Sequence, residues 1–136
     1  MIHNLLMTLF MWICWILGIV LFCAVLIFSF KTYHLQRTAD YIAESEGKFG
    51  GYTTQAHEEL LAFAEERNFD LAKMEVEVSA PDEPVPWGTP VSAVIRYDYE
   101  MKVLKSLPAI HKEIQVEGWD ISRYVAGKYA VTYTSP

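Results

Sequence analysis

The chain has 136 residues and a formal net charge of −6. This length allows one small domain at most, since domains commonly run to about 100–150 residues, and it excludes a multidomain enzyme. The acidic balance argues against nucleic-acid binding, which needs clustered Lys and Arg facing phosphates. All 11 Lys and Arg and all 17 Asp and Glu residues lie at or after Lys31, so two physically different segments are joined end to end.

Residues 5–30 form an uncharged apolar run. A bilayer core of about 30 Å is crossed by about 20 helical residues, so this run predicts a transmembrane helix. A cleaved signal peptide is the alternative, but such peptides have a shorter apolar centre and a small-residue cleavage pattern, which this run lacks. Cys14 and Cys23 lie inside the run, about 13 Å apart along a helix, and cannot pair with each other within one chain.

The charges flanking the run leave its orientation open. Lys31, Arg37 and Lys48 follow the run and no basic side chain precedes it, so the positive-inside rule alone places the C-terminal part in the cytoplasm. Loss of a basic leader by processing would place that part on the other side of the membrane.

The helical pattern continues beyond the apolar run. No Gly or Pro occurs after Lys31 until Gly47, so one helix of about 65–70 Å is predicted over residues 1–46, with its membrane span at 5–30 and a protruding half at 31–46. Gly47 is the predicted helix stop. Gly47, Gly50 and Gly51 are a predicted hinge, because glycine permits the positive φ angles of a sharp reversal. The predicted buried stripe of the protruding half comprises Leu35, Ala39, Ile42, Ala43 and Glu46.

The remaining residues, 47–136, predict a small globular head. Thr53 or Thr54 is the expected N-cap of a second helix that ends near Asn68. Alternation predicts strands from Lys73, over 91–103 (with a bend or bulge), over 110–116, and over 129–133. Residues 81–90 form a Pro-rich loop, and 118–127 are irregular or a short helical turn. The predicted class is α+β: a long N-terminal helix, a short second helix and an antiparallel sheet of three or four strands.

Patterns for catalysis or metal binding are nearly absent from the sequence. The histidines fall in separate elements without H-x-x-x-H spacing, and no G-x-S-x-G or P-loop motif occurs. Asp82 and Glu83 fall far short of the oxygen cage of a calcium ion. The sequence therefore predicts no enzyme, no cofactor and no metal site. Tyr97 and Tyr99 are expected in the sheet core, whereas Trp87 and Trp119 fit either the core or a subunit interface.

The layout of the chain and three of its stretches carry a family resemblance; the stretches are RTADYIAESEG at 37–47, GTPVSAVIRY at 88–97 and SRY at 122–124. With these features the chain resembles type IV pilins and pseudopilins. Within that superfamily the chain is most similar to TadE-like pseudopilins and to a pilin-like family of conjugation gene clusters in Gram-positive bacteria. The resemblance implies a lollipop-shaped subunit whose apolar helix leaves the membrane and bundles into a filament core.

The resemblance also implies the partners of the chain. These are copies of itself, the cytoplasmic membrane before assembly, an inner-membrane assembly machinery and, for a processed chain, a prepilin peptidase; nucleic acid is not among them. The resulting extracellular filament would serve adhesion, secretion or DNA transfer. Pilins usually carry a Glu at the fifth mature position, which is thought to guide docking, whereas this chain has Leu5 there and no acidic residue before Asp40.

Packing arguments favour assembly independently. A helix that is apolar on all sides is stable only in lipid or in a bundle of its own kind, and one contact repeated by helical symmetry builds a filament. The alternative is a single-pass membrane protein that does not polymerise and whose acidic head binds a partner in a secretion or conjugation apparatus. The predicted assembly interface comprises Leu5, Phe10, Trp12, Ile16, Ile19, Phe22 and Leu26.

Overall fold

The structure is a computed structural model that describes residues 1–102 and 105–136, so Val103, predicted to end a strand, lies outside the described residues. It confirms the α+β class, with a long N-terminal helix, a short second helix and a three-stranded antiparallel sheet. Two compact units, residues 1–33 and residues 34–136, divide the chain. Each unit is described by itself below.

Helix α1 comprises Ile2–Phe49 and begins in the first unit. Of the residues in the apolar run only Thr8 and Ser29 carry hydroxyl groups. The Thr8 hydroxyl donates to the Asn4 carbonyl at 2.9 Å, and the Ser29 hydroxyl donates to the Val25 carbonyl at 2.8 Å. Both polar groups are thus satisfied by the helix itself, as a lipid or protein environment requires.

The remaining part of α1 belongs to the second unit and is buried along one face. All five residues of the predicted stripe are fully buried, which confirms the stripe. The helix ends at Phe49, three residues beyond the predicted Glu46, so the prediction that Gly47 stops the helix is wrong. Gly50, with φ of 80°, is the first residue beyond the helix and takes the left-handed position that suits glycine.

Helix α2 comprises Thr54–Glu66 and matches its predicted bounds closely. Thr53 is the N-cap, and its side chain accepts a hydrogen bond from the Ala56 amide at 3.2 Å. Asn68 has a φ of 55°, the left-handed conformation expected where the helix ends. A single 3₁₀ turn, Leu71–Lys73, then leads into the sheet.

The sheet consists of β1 (Met74–Val78), β2 (Pro90–Met101) and β3 (Ile110–Ile121), paired antiparallel in the order β1-β2-β3. Pairing of β2 with β3 runs without interruption from Pro90↔Ile121 to Met101↔Ile110, so the predicted bulge in the long strand is wrong over the described residues. Strand β3 continues five residues beyond the predicted end at Val116. The predicted last strand over 129–133 is reduced to one isolated bridge, Thr53↔Tyr133.

One face of the sheet forms the core of the second unit with α1 and α2. Tyr97 and Tyr99 are buried there, as predicted, beside Ile95. Gly118 of β3 lies against α1 so closely that a Cβ atom added there would collide with the backbone carbonyl of Ala39. The Gln36 side chain donates to the Glu117 carbonyl at 2.8 Å. These contacts show that the latter part of α1 is packed directly on β3.

Candidate assembly surface

The first unit is a helix whose large apolar side chains are exposed on every side. None of its residues from Met1 to Cys23 is buried, and the side chains of Trp12 and Phe22 are 67% and 63% exposed. In the described residues α1 is the one helix long and apolar enough to cross a membrane, with a mean hydropathy of 2.8 in its most apolar window. This surface is a candidate membrane span and a candidate contact surface between helices.

Every residue of the predicted assembly interface is exposed. The exposed fraction runs from 40% at Leu26 to 70% at Leu5. Leaving such side chains in water costs roughly 1.5–3 kcal/mol each relative to full burial. The interface residues predicted from sequence therefore have side chains free to contact lipid or a neighbouring helix: Leu5, Phe10, Trp12, Ile16, Ile19, Phe22 and Leu26.

The surface of this helix is irregular rather than smooth. A hollow of about 440 Å³ lies between Met11, Trp12, Trp15, Ile16 and Ile19. Bulky side chains on both sides of such a hollow form ridges, and the side chains of another helix can pack into the groove between them. Aromatic side chains add large contact areas with little conformational freedom to lose.

Cys14 and Cys23 are both exposed on this helix and neither forms a disulfide. A further hollow, of about 430 Å³, is lined by Cys14 together with Gly18 and Phe22. No atom lies within 4 Å of a Cβ added at Gly18. A neighbouring helix could therefore approach closely at this glycine.

The three glycines of the predicted hinge are packed tightly within the second unit. Gly47 lies in the last turn of α1, where an added Cβ atom would collide with the Asp120 side chain. Its carbonyl accepts a hydrogen bond from the Arg123 amide at 2.6 Å. Gly51 is equally confined, since an added Cβ would be 3.0 Å from the Ala80 carbonyl. Only Gly50 uses a positive φ, so close packing explains the other two glycines; a hinge motion stays a prediction.

Sequence reasoning did not identify the buried carboxyl of Glu46 as unusual. This side chain is fully buried on α1. Its Oε1 accepts a long hydrogen bond of 3.4 Å from the Ala80 amide, and its Oε2 has no partner among the described residues. Burial raises the pKa of Glu46 to about 7. The nearby Tyr52 hydroxyl, 3.2 Å from His57 Nδ1, has its pKa raised to about 12 by burial and by the Glu46 charge.

Two tryptophans of the second unit are exposed. Trp119 is 75% exposed and Trp87 is 66% exposed, so the core interpretation of both is wrong and the interface interpretation remains a prediction. Trp119 pairs with Ser92 across the sheet, and Gly88, next to Trp87, donates to the Ser122 carbonyl at 2.8 Å. These connections place both tryptophans near the end of β3.

No cluster of three or more His, Cys, Asp or Glu side chains that could hold a metal ion occurs in residues 1–102 and 105–136. Comparison of the chain with protein-family models, with curated proteins and with solved structures finds no match.

Proposed function

We propose that the chain is a pilin-like structural subunit that polymerises through the first part of α1 into an extracellular pilus or pseudopilus. The observation that carries this proposal is the all-round exposure of apolar side chains on the first unit. A helix of this kind needs lipid or copies of itself around it. The resemblance of the layout to type IV pilins adds support.

The packing of the latter part of α1 within the second unit also supports the proposal. In the second unit this part of the helix is buried along the stripe from Leu35 to Glu46 and contacts β3 at Gly118. A helix that enters a bundle would therefore bring its own sheet domain with it. This coupling suits a filament subunit that is held in the cytoplasmic membrane by a single span before it is assembled.

The native cysteines offer a direct test of polymerisation. A membrane-permeant reagent whose two maleimide groups are joined by a spacer well shorter than the about 13 Å between the two thiols along one helix can join Cys14 of one copy to Cys23 of another, because both thiols are exposed. In a polymer this reagent should produce a ladder of trimers and larger species. The Cys14→Ser and Cys23→Ser single variants keep one thiol per copy, so their products should stop at dimers.

Electron microscopy of sheared surface material provides the second measurement. Fibres that contain the chain are expected in the native strain, and substitution of Trp12 and Phe22 by alanine should reduce them while the protein remains in the membrane fraction. If the chain occurs only as membrane-extracted monomers and yields no crosslinks although both thiols react with a single maleimide, the filament proposal is wrong.

The alternative function is a single-pass membrane protein that binds a partner through its acidic head. The exposed Trp87 and Trp119 favour it, since aromatic anchors concentrate in binding interfaces. If this alternative holds, Trp87→Ala and Trp119→Ala should reduce recovery of a crosslinked partner without changing the amount of protein in the membrane. The substitutions in the first unit should leave that recovery intact.

A further inference from the structure

A groove between α1 and α2 in the second unit carries two positively charged side chains in an otherwise acidic protein. It has a volume of about 400 Å³. Arg37 of α1 and Arg67, the C-cap of α2, line it together with Tyr41, Glu59 and Phe63. We call it the basic groove.

Neither arginine of the basic groove has a counterion in the described part of the chain. The ion pairs there use other cations, namely Lys73, Arg96, Lys102, His111 and Arg123. Glu59, which lines the same groove, accepts hydrogen bonds from the Tyr41 hydroxyl and from the Gln55 side-chain amide. Arg37 and Arg67 are exposed, so their guanidinium groups are available to carboxylates from outside the chain.

The sheet of the same unit has an acidic face that is turned away from the helices. Successive side chains of a strand point to opposite faces, so the residues of β2 that alternate with its buried positions share one face with their cross-strand partners. The carboxylates on that face, which we call the acidic face, are Glu75, Glu77, Asp98, Glu100, Glu113 and Glu117. The basic groove belongs to the helices that cover the other face of the sheet, so the two charged surfaces lie in different layers of the second unit.

Two carboxylates of the acidic face, both on β3, lack a cationic neighbour. No ion pair within residues 1–102 and 105–136 involves Glu113 or Glu117, and both are exposed. Glu113 stands directly opposite Asp98, and like charges in that position destabilise a sheet. His111 Nδ1 lies 3.5 Å from Asp98, so one of the two opposed acids has a basic neighbour and the other has none. A cation from outside the chain would relieve this repulsion.

We propose that the basic groove of one copy binds the acidic face of a second copy, with Arg37 and Arg67 paired to Glu113 and Glu117. The contact joins two different surfaces, so a pair of copies still offers one free groove and one free acidic face to further copies. The inference rests on the proposed function, since it takes copies of the chain as the partners. It adds a contact between second units, and both of its surfaces belong to that unit alone.

Crosslinking of two differently tagged full-length chains in membranes tests this contact. Both chains carry Cys14→Ser and Cys23→Ser. One chain has Glu66→Cys, next to the arginine at the end of α2, and the other has Gln115→Cys, on the acidic face; both positions are exposed. Each chain then holds one thiol, so a product that carries both tags joins two copies. A short bis-maleimide reagent should give this mixed product in preference to dimers with a single tag.

Charge reversal separates a specific contact from chance encounters. Arg37→Glu with Arg67→Glu in the first chain should lower the yield of mixed product about tenfold, because like charges then face each other. Glu113→Arg with Glu117→Arg in the second chain should lower it equally. The two reversed chains together should restore the yield to within about twofold of the original, because opposite charges again face each other.

The matched control is Lys105→Glu with Lys128→Glu in the first chain. It reverses the same amount of charge at exposed positions outside the basic groove and should leave the yield unchanged. A loss in the control as large as that of the arginine variant would show that net charge governs the encounter, and would overturn the inference. So would a mixed product no more abundant than the single-tag dimers, or a failure of the two reversed chains to restore it although their circular dichroism melts match the native chain.

The crosslinks of the native cysteines report on the filament proposal separately. A ladder through the first unit without the mixed product would keep the filament and reject the contact between second units. Mixed product without a ladder would keep this contact and reject polymerisation through the first part of α1.

Discussion

Ile16 and Ile42 lie on the same helix, yet their environments are opposite. Ile16, in the first unit, is 58% exposed, whereas Ile42, in the second unit, is fully buried. Both are apolar residues within one helical element, so helix formation alone does not distinguish them. What differs is the available partner: β3 and α2 cover the stripe that contains Ile42, whereas the surface around Ile16 must find its partners outside the chain. This comparison separates residues that stabilise the fold from residues available for association.

The largest effect should come from truncating the buried isoleucine. Ile42→Ala removes methyl groups from a packed core and should lower the free energy of unfolding by about 4 kcal/mol, through lost burial and the remaining cavity. Ile16→Ala is the matched control and should change it by less than about 0.5 kcal/mol. Denaturant titration of the full chain in detergent, followed by near-UV circular dichroism, measures both. If both variants lost the same free energy of unfolding, apolar contacts with detergent would stabilise the fold as much as contacts inside the protein do, and the comparison would fail.

The second effect concerns Glu46, the carboxyl that α1 buries in the second unit. Its pKa is about 7 in the folded state, against an ordinary value of 4.5, so the folded state binds the proton more tightly. This contribution to stability is fully present below about pH 4.5 and is lost as the pH rises through 7, at a cost of roughly 3 kcal/mol. Glu46→Gln should remove that pH dependence and make the chain more stable than the native one at pH 8.

The control for this prediction is an exposed carboxyl on the same turn of the helix. Glu44 is exposed, so Glu44→Gln should keep the decline in stability between pH 4.5 and 7. Thermal melts of the three chains at pH 5 and pH 8 provide the comparison. A native chain whose melting temperature stays constant between those pH values would contradict the assignment of a raised pKa to Glu46.

The sequence was sufficient to predict those features that depend on local pattern. The buried stripe of α1, an N-cap at Thr53 or Thr54 and the left-handed Asn68 all follow from residue type and spacing within a few positions, and the structure has Thr53 as the N-cap. The prediction that Tyr97 and Tyr99 lie in the sheet core is likewise confirmed. Exposure of the apolar run also agrees with its composition, although polymerisation through Trp12 and its neighbours stays a prediction.

Features that depend on contacts distant in sequence could not be predicted. Strand β3 continues beyond Val116 because it pairs with β2 as far as Pro90, and Gly118, which interrupts the apolar alternation, is the residue that lets α1 approach. Alternation at 129–133 predicted a strand, but Tyr133 finds only an isolated bridge partner in Thr53. Gly47 lies within the helix and adjoins Asp120 so closely that there is no room for a Cβ atom, a contact that no local rule shows.

A third prediction compares glycines in the two units. Gly118→Ala places a Cβ atom against the backbone of α1 at Ala39, which cannot yield as a side chain would. This overpacking should cost about 2 kcal/mol of stability. Gly18→Ala meets no atom within 4 Å and, since alanine favours a helix more than glycine does, should not lower the melting temperature of the full chain. A stable Gly118→Ala variant would show that α1 is able to move away from β3 at small cost.

The smallest expected effect comes from two threonine hydroxyls, one of which accepts a hydrogen bond from the backbone while the other donates one to it. Thr53 accepts from the Ala56 amide at the start of α2, so Thr53→Ala leaves an amide without its intrahelical or capping partner and should cost about 1 kcal/mol. Thr8 donates to the Asn4 carbonyl, which the helix backbone already occupies, so Thr8→Ala leaves no backbone group unsatisfied. The free energy of unfolding of the Thr8→Ala variant should match that of the native chain in the same denaturant titration. A comparable loss of stability in both variants would contradict this account. It would show that removing the hydroxyl group itself lowers the free energy of unfolding, whether or not a backbone amide is left without an acceptor.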